Sequence, residues 1–512
     1  MTALPAMPAG GDSPAGSPEW WVRRLENELD SRMRLIQIYE DYYEGRHKLN
    51  FATAKFREAF AGQIAAVSDN WMPLVIRASV ERLRVQGFRL GEPGDLRGDD
   101  DAWRIWQENQ LDADSGLAFT EAAKIGEAAL MVWQAPQDRP GVFGRLFQRR
   151  GGPQAEITVE HPAQIVVARE PGNRRRRAAA LKKWREDDGR VCATLYLPDW
   201  VYRYERDAAG GKWRAREKAV FATRNPLGVV PVVPVVNDPH MLPCFPPRAM
   251  LDSPHYAPPV AIGLGWSDLA PVISTQDRIN KYLCDAMVAA EFHGYPQRYA
   301  TGLEVPVDDE GNPIEPVVAA SRMLITADPD VKFGQFALGD IGQLLAGATQ
   351  ATESLAARTR TPPHYLLGQI VNVSGDTLKA AETGLVSKVK DKQRSYGESI
   401  EEAMRLAFAI EGDKAKAGAA MAEVDWVPPE SRSESEHVDS LVKKLSIGVP
   451  VQQLWSDAGY SPQQIAQFRA MLQEQALDQG IFDVQGLPPE PPPAGLAGGQ
   501  PEGLGGADAG ED

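Results

Sequence analysis

Few residues in this sequence have the types and spacing that chemistry requires. The acidic run 308–312 (DDEGN) offers oxygen ligands at close spacing, as a calcium loop does, but no bidentate glutamate follows at the right distance. We therefore interpret this run as a hydrated turn. His240 and His255 lie in a proline-rich stretch where we recognise no partner ligands, so we predict no metal site and no cofactor.

The compact motifs that bind nucleotides or activate nucleophiles are also missing. We find no P-loop, no HExxH and no GxSxG, and Gly263-Leu264-Gly265 lacks the third glycine of a dinucleotide fingerprint. An enzyme acting on DNA needs clustered carboxylates or a nucleophile beside a base, and we recognise neither. We predict no catalytic residues and no enzymatic activity. The rival hypothesis, a nuclease or hydrolase, predicts an activity that one carboxylate substitution abolishes.

Basic residues are concentrated at one place in an acidic chain. The run Arg174–Arg177 has the chemistry to contact phosphate, but it follows the turn Pro171-Gly172-Asn173, and we interpret it as a solvated hairpin tip. With 55 Lys and Arg against 70 Asp and Glu, the net charge is −15. Tight binding of nucleic acid over the whole surface would need many basic contacts, so this balance argues against it. It allows a surface past which DNA slides.

Composition indicates a folded protein of a reducing compartment. Hydrophobic residues make up 43% and charged residues 24% of 512 residues, a length that suits about three structural units. Cys192, Cys244 and Cys284 stand far apart, which predicts neither a disulfide framework nor a zinc site. Because no run approaches the ~18 apolar residues of a membrane span, we expect no membrane partner and folding in a cytoplasm.

Apolar spacing predicts a mainly helical α+β chain. Helices are expected to begin near Pro18, Pro73, Asp99, Gly116, Ser267, Asp340 and Thr377 and to cover 433–447, 450–458 and 462–475. Strands are expected at 85–90, 128–133, 157–160, 165–168, 179–185, 191–197, 201–206 and 213–221. Residues 226–259 are rich in proline, and we expect them to be extended and irregular.

The most distinctive order of elements lies in the C-terminal half. A helix from Ser267 and a helix from Asp340 bracket an insert rich in Pro and Gly, and Thr361-Pro362-Pro363 ends the second helix. A segment rich in Gly, Asn and Ser then precedes the longest predicted helix, 377–410, which is ~50 Å long at 1.5 Å per residue.

Several short stretches carry a family resemblance through their combination and order. They are SDL (267–269), QDRIN (276–280), EFHGYPQR (291–298), TPPHYL (361–366), NVSGDTLKA (372–380), LVKKL (441–445), GVP (448–450) and GYS (459–461). Together they resemble the portal proteins of siphovirus-type tailed double-stranded DNA bacteriophages, over roughly 18–475. The resemblance implies a portal fold of wing, stem, clip and crown that assembles into a ring, twelve-fold in the virion, with a central channel.

The resemblance divides the chain into parts, to which composition adds both termini. The expected parts are a disordered leader (1–17), the wing (18–262, with a β-rich part at 155–236), the first stem helix (263–292), the clip (293–336), the second stem helix (337–360), the tunnel loop (361–376), a long wing-crossing helix (377–412), a helical crown (413–476) and a disordered acidic tail rich in Pro and Gly (477–512).

The resemblance also implies a function and partners. A portal ring at one capsid vertex is the channel through which genomic DNA is packaged and later ejected. Its implied partners are further copies of itself, double-stranded DNA, the terminase large subunit, the major capsid and scaffolding proteins, and a head-completion or adaptor protein. The implied location is the portal vertex of the virion, after assembly in the host cytoplasm. The alternative is a non-channel oligomeric scaffold for capsid assembly, which gives no reason for this order of helices, insert and loop.

Candidate site residues follow from the implied tunnel loop. DNA-facing positions are predicted at His364, Tyr365, Gln369, Asn372 and Ser374. The flanking Arg360 and Lys379 are predicted to touch phosphates transiently, although solvated charges at helix ends explain them equally well.

Overall fold

The computed structural model describes residues 13–46, 69–89, 98–135, 153–207, 211–217, 219–240, 263, 265–294, 298–302, 330–335, 340–368, 375–430, 434–460 and 462–478. The described helices are α1 (Pro18–Tyr43), α2 (Met72–Val80), α3 (Asp100–Glu108), α4 (Leu111–Ile125), α5 (Ile273–Gly294), α6 (Ile341–Thr359), α7 (Pro363–Leu367), α8 (Gly375–Glu411), α9 (Lys414–Ala417), α10 (Glu434–Ser446), α11 (Val451–Asp457) and α12 (Pro462–Asp478). Helical residues outnumber strand residues, so the chain is a mainly helical α+β protein, as predicted.

The described strands form small antiparallel sheets. They are β1 (Val85–Arg89), β2 (Glu127–Gln134), β3 (Ala155–Glu160), β4 (Ile165–Glu170), β5 (Asn173–Arg185), β6 (Val191–Tyr196), β7 (Trp200–Arg206), β8 (Arg214–Ala215), β9 (Ala222–Arg224), β10 (Val232–Val236), β11 (Arg298–Thr301), β12 (Lys332–Gln335) and β13 (Glu423–Trp426). Other predicted features lie outside the described residues: the leader up to residue 12, Cys244, His255, most of the predicted clip with the acidic run 308–312, and the tail from 479.

The largest sheet packs against the first helix. Its strand order is β4-β5-β6-β7-β8, and β9 pairs with β7 as well. Ser17 caps α1 by accepting a hydrogen bond from the amide of Trp20 at 3.2 Å, and Pro18 occupies the first turn, where its missing N–H costs nothing. Val22, Leu25 and Leu29 of α1 are buried against this sheet. The helix predicted from Pro18 is confirmed.

Two strand predictions need correction. The prediction of one strand at 213–221 is wrong. Two short strands pair with the same edge of β7 instead, β8 at Tyr204 and β9 at Trp200 to Tyr202, so the chain must turn between them. The irregular chain expected over 226–259 is wrong at β10, which is paired with β2 in the order β10-β2-β3. Proline is tolerated at position 234 because β10 is an edge strand. The missing backbone N–H of Pro234 would face away from β2, where no neighbouring strand needs a hydrogen bond.

The longest helix runs through the largest core. At 37 residues, α8 is about 55 Å long. Leu385, Val389 and Tyr396 are buried along it, together with Ile400 and Met404, against α4, β2 and β3. The period of three and four residues on which the helix prediction rested is therefore the period of its buried face.

Helices α5 and α6 form a two-helix hairpin. Gly347 on α6 lies against the ring of Tyr282 on α5, and Arg358 near the end of α6 donates to the carbonyl of Pro271 just before α5, at 3.0 Å. The strands β11 and β12, which follow α5 and precede α6, pair antiparallel from Arg298 opposite Gln335 to Thr301 opposite Lys332. The two helices therefore run antiparallel, and the insert between them leaves from their shared end.

The C-terminal helices agree with the sequence. α10, α11 and α12 each begin and end within three residues of the predicted bounds. Among the described helices, none combines the length and the apolar character needed to cross a membrane.

Candidate channel segment and the cluster that anchors it

The channel segment, residues 360–379, begins with a strained helix end. Arg360 closes α6 in the left-handed conformation with φ +55°, and the amide of Thr361 donates to the carbonyl of Ala356 at 3.0 Å. This is a Schellman closure, at which glycine is the usual residue. Pro362 then disfavours helical geometry for Thr361, and α6 cannot continue.

The predicted site residues have different environments. Arg360 and Lys379 are exposed, at the end of α6 and in the first turns of α8. His364 on α7 is half-buried, with its ring edge-on to that of Tyr365 at 4.7 Å between centroids. Gln369, Asn372 and Ser374 lie outside the described residues.

Tyr365 is engaged within the subunit. Arg82 donates to its hydroxyl at 2.8 Å, and the hydroxyl donates to Glu382 on α8 at 3.2 Å. Arg82 also pairs with Glu382 at 3.2 Å and donates to the carbonyl of Pro429 at 2.9 Å. Burial raises the pKa of the Tyr365 phenol, so it stays a donor. Tyr365 thus ties α7 to α8.

A buried polar cluster holds the root of the helical hairpin. This anchoring cluster consists of Asn237, Asp268, Lys388, Lys392 and Tyr396. Asp268 precedes α5 and pairs with Lys388 at 2.9 Å and with Lys392 at 3.0 Å, both on α8. Asn237, at the end of β10, donates to Asp268 at 3.0 Å and accepts from the hydroxyl of Tyr396 at 2.7 Å. The Lys392 ammonium also donates to Asn237.

The cluster is strongly coupled electrostatically. Burial would raise the pKa of Asp268, but the ammonium groups of Lys388 and Lys392 outweigh burial and hold that pKa well below its ordinary range. Burial lowers the pKa of Lys392, against the opposing effect of Asp268. Removing one partner from a buried pair typically costs about 3–5 kcal/mol, because the remaining charge is left uncompensated. The cluster therefore fixes α8 rigidly against the start of α5.

Close backbone contacts reinforce this junction. A Cβ on Gly265 would lie 1.7 Å from the carbonyl oxygen of Gly126, so only glycine fits there. The hydroxyl of Ser267 donates to the carbonyl of Lys124 at 2.5 Å, and the amide of Asp268 donates to the carbonyl of Ala123 at 2.9 Å. Gly265 thus allows the start of the hairpin to pack closely against the end of α4.

The anchoring cluster was missed from sequence. Asp268 belongs to the SDL stretch, but nothing nearby in sequence assigns it a role. A usable signal exists on α8: Lys388 and Lys392, four residues apart, flank Val389 on the otherwise apolar buried face. Charged residues at such positions are almost never buried without a partner, so they indicate a buried counter-ion.

One group among the described residues has a metal-like arrangement of ligands. Glu40, Glu121 and His161 bring their ligand atoms within 4.8 Å of one another. The Lys124 ammonium lies 2.8 Å from each of the two carboxylates, at the place a cation would take. Burial lowers the pKa of His161, but the hydrogen bonds that Glu121 and Glu40 accept from its ring outweigh burial and raise this pKa to about 9. Nδ1 of His161 accepts from the amide of Ala163 at 3.0 Å, which leaves Nε2 to donate to the carboxylates. This group is therefore a network of ion pairs and hydrogen bonds around Lys124.

Comparison with known proteins decides the family. A family model described as "Phage portal protein, SPP1 Gp6-like" matches residues 23–476. The chain belongs to this family of phage portal proteins. The chain is thus a phage portal protein and a component of the phage particle, and its family is structural rather than catalytic. The predicted family, fold and portal function are confirmed.

Individual relatives agree with this assignment. The portal protein is 27% identical to the portal protein of Mycobacterium phage L5 over 476 residues, 89% of this chain and 90% of the relative. It is 28% identical to the portal protein of Mycobacterium phage D29 over 413 residues, 79% and 78% of the two chains. A chain from the neck of a native GTA particle, computed with C12 symmetry, is similar at 12% identity and a TM-score of 0.37, with 79% of this chain and 91% of that chain covered.

Proposed function

We propose that this portal protein forms a ring, twelve-fold in the virion, whose central channel passes double-stranded DNA during packaging and ejection. The observation that carries the proposal is the antiparallel hairpin of α5 and α6. Its root packs against α1 and α2, whereas Leu345, farther along α6, is 49% exposed. Copies set side by side, head to tail, give the outer faces of such a hairpin a neighbour to pack against.

The proposed parts of the ring follow the hairpin. α5 and α6 are the stem helices, residues 293–336 the clip, 361–376 the tunnel loop, and residues 413–476, which include α10, α11 and most of α12, the crown. At 22 residues, α5 gives the stem a length of about 33 Å. The remaining parts, the wing at 18–262 and the wing-crossing helix at 377–412, surround the stem root through the anchoring cluster.

Within the channel segment, we assign roles by environment. Arg360 and Lys379 are exposed cations and are proposed to touch DNA phosphates transiently, while His364, Gln369, Asn372 and Ser374 are proposed to face the DNA. Tyr365 is reassigned from DNA-facing residue to anchor, because its hydroxyl is engaged by Arg82 and Glu382.

The charge of the chain suits a passage for DNA. A channel lined with many Lys and Arg would release counterions at each phosphate and hold the duplex in place. A net charge of −15 per chain instead favours a wall that the duplex passes without sticking, with few cations at the narrowest point.

The proposed partners are the terminase large subunit at the clip, the major capsid and scaffolding proteins around the wing, and a head-completion or adaptor protein after packaging. Assembly is proposed to take place in the host cytoplasm. The protein is proposed to have no catalytic activity of its own, since hydrolysis of ATP belongs to the motor that docks on it.

Negative-stain images of the purified full chain test the ring directly. We expect rings with a central hole of ~20 Å or more, wide enough for a duplex whose grooves measure about 12 and 6 Å. Oligomers without a through-hole would favour the non-channel scaffold and overturn the channel. Nuclease activity lost on a single carboxylate substitution would favour the enzyme instead.

The channel segment is tested by removing its two exposed cations. We expect R360Q with K379Q to leave ring assembly unchanged and to reduce DNA packaging or retention by severalfold, because transient phosphate contacts are lost. The matched control is R394Q with K414Q, which removes two exposed cations from α8 and α9. Equal packaging by both double variants and the parent would show that Arg360 and Lys379 are merely solvated.

A further inference from the structure

The hairpin of β4 and β5 contains an insertion made entirely of arginine. Arg169 on β4 lies opposite Arg177, but the next residue, Glu170, lies opposite Asn173. Arg174, Arg175 and Arg176 therefore have no ladder partner on β4, and the β5–β6 ladder begins only at Ala180. We call residues 174–176 the arginine bulge. A β-bulge changes the direction of the side chains at that point of the strand. This bulge exposes three arginine side chains to solvent.

The backbone of the arginine bulge is held in place. The side chain of Asn173 accepts from the amide of Arg175 at 3.1 Å, and Arg169 donates to the carbonyl of Arg174 at 2.9 Å. Arg177, 7% exposed, pairs with Glu402 on α8 at 2.6 Å and donates to the carbonyl of Val230 at 3.2 Å. Residues 174–177, which the sequence predicts to be a solvated hairpin tip, are therefore held by hydrogen bonds at the start of the run and by an ion pair at its end.

The arginine bulge is also poor in compensating charge. Some other cations on or beside the same sheet have close carboxylates: Arg190 pairs with Asp188 at 2.6 Å, and Lys183 pairs with Asp30 at 2.5 Å. Arg176 is 71% exposed and reaches Glu170 only at 3.8 Å. Arg174 and Arg175 are exposed and form no ion pair with any residue that the structure describes.

We propose that the arginine bulge is a second DNA contact, which binds the phosphate backbone of duplex DNA without regard to sequence. Guanidinium groups bind phosphate with paired N–H donors. Alternate residues of a strand lie ~7 Å apart on the same face, so Arg174 and Arg176 can reach neighbouring phosphates. Glu402 lies 23 residues along α8 from Lys379, about 35 Å. The bulge is therefore separate from the channel segment.

One argument favours DNA over an acidic protein surface. The three arginines are adjacent, which suits a polymer with one charge per about 1.7 Å of axis better than a single carboxylate. The choice of DNA among polyanions rests on the proposed function, which brings a duplex to this protein.

The test compares two triple variants of the full chain as assembled. R174Q/R175Q/R176Q removes the bulge charges, and R23Q/R185Q/R224Q removes three other exposed arginines from α1, β5 and β9. Binding to a mixed-sequence duplex of about 30 base pairs is measured by fluorescence anisotropy between ~50 and ~200 mM salt. We expect the bulge variant to bind at least tenfold more weakly at low salt. The slope of log K against log salt should be shallower by about 1.8, for the two phosphates that Arg174 and Arg176 contact.

The control variant should keep the parent affinity within about twofold, since scattered charges make no joint contact. Equal DNA binding by parent and bulge variant, or no binding by the parent, overturns the proposal. So does a bulge variant that keeps DNA binding and loses binding to a polyglutamate peptide, which would identify an acidic protein as the partner. Negative-stain images of the same samples separate this from the proposed function, because rings with a through-hole persist if only the bulge assignment is wrong.

Discussion

At the scale of the residue, Asp277 shows how burial sets the pH response of the hairpin. Its carboxylate on α5 accepts from the hydroxyl of Tyr42 on α1 at 2.9 Å, which docks the hairpin on the first helix. Burial raises the pKa of Asp277 to about 6, and the bond from Tyr42 offsets this only in part. The folded state therefore holds the proton more tightly than the unfolded state, and ionising Asp277 costs stability as the pH rises from about 4 to 6.

We expect D277N to remove this cost. The amide oxygen still accepts from Tyr42, so above about pH 7 we expect the variant to be more stable than the parent by about 1–2 kcal/mol. This figure converts the raised pKa of Asp277 into free energy and reduces it because the side chain is partly exposed. Below about pH 4 the two proteins should melt alike. Melting temperatures across this range check it. D285N, on the same helix but paired with Lys281, should show no such gain, and a D277N protein that melts earlier at neutral pH would contradict the reasoning.

At the scale of the element, the end of α6 stores strain that can be released. An L-residue in the left-handed conformation costs about 1 kcal/mol relative to glycine, and Arg360 occupies such a position at φ +55°. We expect R360G to raise the stability of the junction by about 0.5–1 kcal/mol, whereas R360Q changes it little. Thermal melting distinguishes the two variants. Equal melting of R360G and R360Q would mean that the neighbouring Pro362 already fixes the backbone at no cost.

The same element shows what sequence could and could not supply. Thr361-Pro362-Pro363 predicts the end of α6, because proline acts through local sterics. The partners of Tyr365 were not predictable, since Arg82 lies 283 positions away and Glu382 lies on the next helix. Asp268 with Lys388 and Lys392 was missed for the same reason. Periodicity predicts which face is buried, but only the fold brings distant charges together. β10 was missed because proline and valine alone do not distinguish an edge strand from irregular chain.

At the scale of the whole molecule, self-repulsion opposes a ring of acidic subunits. Each chain carries −15, and residues 488–512 contribute five of the carboxylates and no Lys or Arg. Like charges on neighbouring subunits repel over a Debye length of about 30 Å at 0.01 M salt and about 8 Å at 0.15 M. The fraction of chains assembled in rings should therefore increase as the salt concentration rises over this range. The increase should be smaller once those five carboxylates are removed.

We expect a chain that ends at residue 487 to form the same rings as the full chain, and to form them at lower salt. The removed stretch is rich in Pro and Gly, a composition that cannot bury enough apolar surface to build an interface. Sedimentation velocity from ~10 to ~150 mM salt measures the assembled fraction of both chains. A full-length variant with the five carboxylates replaced by amides should match the truncated chain, because charge alone is at issue. Loss of rings on truncation, with rings kept in the amide variant, would show that the stretch itself holds subunits together.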